Sequence, residues 1–199
     1  MKLIIGLGNP GQEYIGTRHN LGRLLVELVA KRMDASAFVV KQRCLSRVAS
    51  ATVNDEKVIL AQPETFMNSS GDAVAKLAAS YQAHRNDILI LHDEMDFDVG
   101  RFAFCKTGGA AGHNGILSVI ASLDTPDFVR LRMGIGRSTG TVAKDGYVLQ
   151  PFDETEKPLV DTMLKQAAQA VLDWCDGGID KSMNLWNGVR GGLNASMDV

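Results

Sequence analysis

A glycine-rich loop that contains an asparagine follows the first apolar run of the chain, and a histidine lies shortly after it. The loop Gly6-Leu7-Gly8-Asn9-Pro10-Gly11 is followed eight residues later by His19-Asn20. Its glycines permit backbone conformations and close approaches that residues with a Cβ resist. An imidazole has an ordinary pKa near ~6.5 and can accept a proton from water at neutral pH. His19 is therefore a candidate general base, and the amide of Asn9 is a candidate hydrogen-bond donor to a developing oxyanion.

The same loop matches the pattern G-x-G-x-x-G of dinucleotide-binding turns. In those folds the third glycine opens a helix at once, and an acidic residue about 20 positions further on binds the ribose. Here Pro10 and Gly16 interrupt the segment, the next helix begins near Asn20, and Asp34 falls at a helix end. The sequence therefore does not favour a dinucleotide site.

Three further segments place polar side chains beside apolar strands or helices. They are Phe66 to Gly71, His92-Asp93-Glu94 after the apolar run Ile88 to Leu91, and Thr107 to Gly115. Asp93 puts a carboxylate at the C-terminal end of a buried strand, which is the edge where open α/β sheets bind ligands. We therefore expect one edge of a sheet to gather the polar side chains of these loops.

Each of these segments also has a purely structural interpretation. Asn68 and His113-Asn114 precede apolar helical patterns, so N-capping could be the whole role of their side chains. The acidic spacing Glu94-x-Asp96-x-Asp98 suggests a calcium loop, but the turn glycine is misplaced at Gly100 and Cys105 occupies the twelfth position. The spacing therefore does not predict a calcium site.

The elements that must position these residues alternate between strands and helices. We predict strands at 2–7, 38–40, 43–53, 57–62, 87–92, 99–105 and 129–135, and helices at 20–33, 69–82, 113–122, 154–174 and 177–187. This alternation is typical of an α/β fold, here a mixed β-sheet covered by helices on both faces, an α/β/α sandwich. We expect a single catalytic domain over 1–190 and a flexible tail over 191–199, which has the composition of a turn.

Composition limits the class of protein. The 199 residues are 45% hydrophobic and 22% charged, as in an ordinary globular domain. There is no apolar run of membrane-spanning length and no signal-peptide pattern, so we expect a cytoplasmic protein without a membrane partner. The three cysteines, Cys44, Cys105 and Cys175, show no C-x-x-C pattern and predict neither disulfides nor a zinc site. A net charge of -2 means that any nucleic acid must be held by a local basic patch.

Five ordered motifs together resemble bacterial peptidyl-tRNA hydrolase over essentially the whole chain up to about Arg190. They are Gly6 to Asn20, Phe66 to Gly71, His92-Asp93-Glu94, Gly112 to Gly115 and Leu131-Arg132-Met133-Gly134-Ile135-Gly136. The resemblance implies hydrolysis of the ester that joins a peptide to tRNA, by a monomer with a mixed α/β fold and no cofactor. One departure is Ala111, where the family usually carries the first glycine of Gly-Gly-His-Asn-Gly.

The resemblance also implies roles for individual residues. His19 would activate water, Asp93 would fix its tautomer and stabilise the imidazolium, and Asn9 would stabilise the oxyanion. Substrate binding would involve Tyr14, Met67, Asn68, His113 and Asn114. Lys106 and Arg132 would clamp a tRNA phosphate, giving the local basic patch for the peptidyl-tRNA partner. No metal site is expected.

Three other interpretations remain open at this point. A nucleophilic serine would have to be Ser69 or Ser70, but no G-x-S-x-G elbow exists and a serine at a helix start is better explained as a cap. A non-catalytic RNA-binding member of the same fold would be expected to lack the base or its partner, whereas His19, Asp93 and Asn9 are present. A small-molecule esterase would not need Lys106 and Arg132. The sequence favours the hydrolase.

Overall fold

Four parallel strands form the centre of a seven-stranded mixed sheet. A computed structural model of the chain describes residues 1–137 and 143–188. Its strands are β1 (Lys2–Gly6), β2 (Val39–Lys41), β3 (Ser46–Val53), β4 (Glu56–Pro63), β5 (Ile88–Glu94), β6 (Phe102–Cys105) and β7 (Val129–Gly134). Their order is β2-β3-β4-β1-β5-β7-β6. Strands β4, β1, β5 and β7 run parallel, while β2, β3 and β6 pair antiparallel at the two sides.

Helices cover both faces of this sheet. They are α1 (Leu21–Arg32), α2 (Ser70–Tyr81), α3 (Asn114–Leu123), α4 (Lys144–Val148) and α5 (Lys157–Trp186). Leu25 of α1 and Val171 of α5 belong to the core on one face, whereas Val74 of α2 and Val119 of α3 belong to the core on the other. The predicted α/β/α sandwich is confirmed.

Alternation along the central strands explains why both faces need a cover. In β1, Leu3 and Ile5 belong to one core and Ile4 to the other, and all three are fully buried. Successive side chains of a strand point to opposite faces. A continuous apolar run such as β1 is therefore stable only between two layers of helix.

The carboxyl ends of the four parallel strands meet at one edge of the sheet. Leu7 follows β1, Pro63 ends β4, Asp93 and Glu94 end β5, and Gly134 ends β7. The loops after β1 and β4 and the end of β5 carry Asn9, His19, Asn68 and Asp93, and the segment between β6 and α3 brings His113 to the same edge, where it contacts Asp93. Parallel pairing therefore brings distant segments of the chain to one place.

Element boundaries differ from the sequence predictions in several places. Strand β3, for example, begins at Ser46 and not at residue 43, because a 3-10 turn over Gln42–Cys44 precedes it. Helix α4 was not predicted, because five residues are too few to show a helical period. The two helices predicted at 154–174 and 177–187 correspond to the two parts of α5, whose helical conformation is interrupted at Gly178 with φ of 73°, two residues beyond the predicted break. Strand β6 is shorter than predicted because a turn closed by Arg101 N and Asp98 O precedes it.

The predicted tail at 191–199 lies outside the described residues. Within residues 1–137 and 143–188, no helix is both long and apolar enough to cross a membrane.

Candidate active site

A buried histidine and a buried aspartate form the centre of the site. His19 Nδ1 lies 2.9 Å from Asp93 Oδ1 and 3.0 Å from Oδ2. His19 is 8% exposed and Asp93 2%. A carboxylate only accepts hydrogen bonds, so the Nδ1 atom of His19 carries the hydrogen, and the lone pair of neutral His19 lies on Nε2. Nε2 is therefore the atom that can accept a proton.

His113 donates a second hydrogen bond to the same carboxylate. Its Nε2 lies 2.9 Å from Asp93 Oδ1. Its Nδ1 caps α3 by accepting from the backbone N–H groups of Gly115 and Ile116 at 3.1 and 3.2 Å. An accepting Nδ1 leaves the hydrogen of a neutral imidazole on Nε2. Capping of α3 thus fixes the tautomer in which His113 donates to Asp93.

These two histidines determine the charge state of Asp93. Burial alone would raise the pKa of the carboxyl group, but His113 and His19 oppose it through charge and hydrogen bonds and hold the pKa well below its usual range. Asp93 is therefore ionised throughout the physiological pH range.

His92 is a third buried imidazole beside this pair. Its Nδ1 lies 2.7 Å from the backbone oxygen of Asp93, and its ring centroid lies 5.0 Å from that of His113. Its Nε2 is buried and has no hydrogen-bond partner among the described residues. Burial lowers the pKa of His92 well below its ordinary value, and the neighbouring His113 lowers it further. His92 is therefore neutral at neutral pH.

Asn9 is held so that its amide N–H₂ is free. Its backbone N–H donates to Asn20 Oδ1 at 2.8 Å, and its backbone oxygen accepts from Asn20 Nδ2 at 3.0 Å. Its own Oδ1 accepts from Met67 N at 2.8 Å. This contact fixes which end of the amide is oxygen, and no acceptor within the described ranges binds Nδ2. Asn20 begins α1 but makes no side-chain cap, because its side chain holds Asn9 instead.

Two adjoining cavities open beside His19. The smaller, of about 30 Å³, has room for a water molecule. It is lined by His19, Asp93, Glu94, Met95, Ala111, Gly112, His113, Asn114, Lys144, Asp145 and Val148. The larger, of about 210 Å³, is lined by Asn9, His19, Phe66, Met67, Asn68, Asn114, Asp145, Val148 and Leu149. Together they provide space beside His19 for a water molecule and for an extended ligand.

The remaining predicted site residues lie outside both cavity linings. Tyr14 packs edge-on against Phe66, with 6.4 Å between the ring centroids. Lys106 is ion-paired with Asp180 of α5. Arg132 donates from Nε to Glu94 Oε2 at 3.0 Å. Both predicted phosphate-binding cations are therefore already paired with carboxylates.

Helix α4 supplies site residues that the sequence interpretation missed. Asp145 and Val148 line both cavities, and Lys144 Nζ donates to the backbone oxygen of Gly112 at 2.8 Å across the smaller one. The only local signal was the apolar pair Tyr147-Val148, which is too short to define a helix face. Arg18 was also missed, although it directly precedes His19.

Neither serine considered as a nucleophile lines either of these two cavities. Ser70 is fully buried, and its Oγ faces Met67 Sδ at 3.9 Å. Ser69 precedes α2 and is absent from both cavity linings. The geometry therefore favours direct attack by water over attack by serine.

One group of residues in the described part of the chain has the composition of a metal site. His19, Asp93 and His113 bring ligand-type atoms within 4.8 Å of one another. These atoms already hydrogen-bond to each other, and the N–H hydrogens of His19 Nδ1 and His113 Nε2 occupy the space between them. A metal would have to replace both hydrogens, so the arrangement fits proton transfer better than metal binding.

The site has the composition of those that activate water with a histidine. A buried His–Asp pair, an adjacent cavity and an amide donor on the rim of an α/β sheet are the parts required for general-base attack on a carbonyl group. The model of the peptidyl-tRNA hydrolase family matches residues 3–194. The chain belongs to this family, and the resemblance inferred from the motifs is confirmed.

Individual relatives agree with this assignment. The peptidyl-tRNA hydrolase of Desulfitobacterium hafniense is 43% identical, over 94% of this chain and 100% of its own length. That of a Mycobacterium species is 42% identical, over 92% and 95% of the two chains. The crystal structure of peptidyl-tRNA hydrolase from Acinetobacter baumannii superposes with a TM-score of 0.90 at 33% identity, covering 96% of each chain. The relatives span the full fold, including the predicted site.

Proposed function

We propose that this protein hydrolyses the ester bond between peptide and tRNA in peptidyl-tRNA. The observation that carries the proposal is the hydrogen bond from His19 Nδ1 to Asp93 at 2.9 Å, which leaves Nε2 as the proton acceptor. Asn9, whose amide N–H₂ is free, lines the same cavity as His19. A base that can activate water and a donor to the oxyanion thus line the same cavity.

In the proposed mechanism, His19 Nε2 takes a proton from water as the water oxygen attacks the ester carbonyl carbon. Asp93 stabilises the imidazolium, and the Nδ2 hydrogens of Asn9 stabilise the oxyanion. When the tetrahedral intermediate collapses, the bond to the ribose oxygen of the tRNA breaks. His19 then returns its proton to that oxygen. The products are a peptide carboxylic acid, which ionises, and a free tRNA hydroxyl.

The other predicted residues divide between positioning and binding. Both nitrogens of His113 are used within the protein, so we assign it to positioning Asp93 instead of contacting substrate. Met67, Asn68 and Asn114 line the larger cavity, where they would contact the peptide. Tyr14 would support that wall through Phe66.

The tRNA would be held at Lys106 and Arg132. Phosphate contacts dominate nucleic-acid affinity, and a chain of net charge -2 needs a local cationic site. Because both cations are paired with carboxylates, a phosphate would compete with Asp180 and Glu94 for them. We further propose that the protein acts as a monomer, as one catalytic domain over 1–190, in the cytoplasm and without a cofactor.

The test is release of labelled peptide from an N-blocked peptidyl-tRNA by wild type, His19→Ala and His84→Ala. His84 is an exposed histidine that caps a short turn before β5, and it serves as the matched control. We expect His19→Ala to lose on the order of 10²- to 10⁴-fold in kcat, the usual contribution of a general base, and His84→Ala to remain active. Salt-dependent tRNA binding without cleavage by the wild type would instead indicate a non-catalytic RNA-binding member of the fold.

A further inference from the structure

Arg18, the residue before His19, is buried at the junction of three segments. It is 5% exposed, and its Nη1 and Nη2 donate to the two carboxylate oxygens of Glu156 at 2.9 and 2.6 Å. Its guanidinium carbon lies 4.5 Å from the centre of the Tyr147 ring and 4.6 Å from that of Phe152. The guanidinium is thus enclosed by two aromatic rings and held by a bidentate ion pair.

Arg18 also connects His19 to Asp93 by a route that avoids the imidazole. Its Nη1 donates to the backbone oxygen of Ile135 at 3.1 Å. The backbone N–H of Ile135 donates to the oxygen of Glu94 at 3.0 Å, and Glu94 follows Asp93 in β5. His19 and Asp93 are therefore linked twice, once by their own hydrogen bond and once by a chain of contacts through Arg18.

The same arginine holds the α4 wall of the cavities. The hydroxyl of Tyr147 donates to the Ile135 oxygen at 2.7 Å, so it shares an acceptor with Arg18. The backbone N–H of Arg18 donates to Gln150 O at 3.0 Å, and Thr17 bridges to Pro151. Movement of α4 would thus also move the backbone of residues 17–19, which includes His19.

We propose that Arg18 is a positioning residue that locks His19 onto Asp93 and sets the α4 wall at the same time. The inference rests on the proposed function for its kinetic consequences. The role requires a fork of donors and a flat cation, because one side chain must reach two oxygens of Glu156 and Ile135 O while stacking between two rings. A lysine supplies one point charge and cannot meet all of these contacts.

Three variants and a matched control test this proposal. Arg18→Met removes the guanidinium at similar volume, Arg18→Lys keeps the charge, and Glu156→Gln keeps the shape of the acceptor. Lys2→Met is the control, because Lys2 also combines an ion pair, 2.7 Å to Asp87, with a ring contact, 4.9 Å to Trp174. Lys2 begins β1, at the opposite end of the parallel strands from the site.

Two readouts are needed, each at a temperature well below the melting point of every variant. The first is kcat and KM on N-blocked peptidyl-tRNA. The second is the imidazole ¹⁵N spectrum of His19, which reports whether Nδ1 alone carries the hydrogen. The second readout does not depend on activity.

We expect Arg18→Met to lower kcat on the order of 10²-fold, as small misplacements of catalytic groups do, and to turn the His19 spectrum into a mixture of tautomers. For Arg18→Lys and Glu156→Gln, we expect kcat values and His19 spectra between those of Arg18→Met and wild type. Lys2→Met should change only the melting temperature. If Arg18→Met does not fold, the other two Arg18–Glu156 variants decide the question.

A folded Arg18→Met with wild-type kcat and an unchanged His19 spectrum would overturn the proposal and leave Arg18 a structural residue. An inactive wild type would instead overturn the proposed function. In that case the His19 spectrum still decides whether Arg18 positions the imidazole.

Discussion

His113 holds Asp93 with one ring nitrogen and the first turn of α3 with the other. Nε2 donates to Asp93 Oδ1 at 2.9 Å, while Nδ1 accepts from two backbone N–H groups of α3. The Asp93 carboxylate is therefore attached directly to the end of a helix. This relationship separates two functions of one side chain, capping and positioning, and each can be removed without the other.

His113→Asn is expected to keep the cap and lose the contact with Asp93, because asparagine is a good N-cap but too short to reach the carboxylate. We expect kcat to fall about 10- to 100-fold with little change in the melting temperature. Loss of residues that orient metal-binding side chains in other proteins has effects of this size. His113→Ala should show the same loss of kcat together with a destabilisation of about 0.5–2 kcal/mol from the missing cap. Equal kcat for wild type and His113→Asn would remove His113 from the mechanism.

Asn9→Asp should separate the structural contact of Asn9 from its donor role. A carboxylate still accepts from Met67 N, but it has no N–H₂ to offer and repels an oxyanion. We expect kcat to fall by roughly 10²- to 10³-fold with KM nearly unchanged, since the lost interaction exists only in the transition state. Steady-state kinetics measures both constants. A rise in KM at constant kcat would instead assign Asn9 to substrate binding.

His92 should make the folded state sensitive to acid. Its pKa in the folded protein lies well below the unfolded value near 6.5, so below that pH the unfolded chain binds a proton that the folded chain does not. Stability is therefore lost as pH falls below about 6.5, by up to about 1.4 kcal/mol per pH unit. Urea unfolding of wild type and His92→Asn between pH 5 and 7.5 measures this difference. The free energy of unfolding of His92→Asn should depend less steeply on pH. The same pH dependence for the two proteins would contradict the prediction.

Asp180→Asn should strengthen tRNA binding by releasing Lys106. The ion pair between them is exposed, so we expect a modest fall in KM, up to about fivefold. The logarithmic salt dependence of binding should steepen by up to about 0.9, the contribution of one further phosphate contact. Asp176→Asn is the control, because it removes the same charge from the same helix but releases Lys181 instead. Identical salt slopes for the two variants would show that Lys106 does not bind phosphate.

Most of the fold was predictable from local sequence patterns. Strand β1 and helix α1 were predicted within two residues because their apolar residues follow a period that does not depend on distant partners. Helix α4 was not predicted, because one turn of helix has no measurable period and its position depends on contacts with Arg18. The break in the long C-terminal helix was predicted at residues 175–176 and lies at Gly178.

The residue types and the order of the motifs were enough by themselves to indicate the family: a histidine, a carboxylate and amides at loop ends. Only the tertiary structure decided how they are paired. His113 donates a hydrogen bond to Asp93, and both Lys106 and Arg132 form ion pairs with carboxylates. Arg18 pairs with Glu156, 138 residues away in sequence. Such pairings depend on which elements pack together and on which ring nitrogen faces a donor. These are properties of three-dimensional packing that no local pattern encodes.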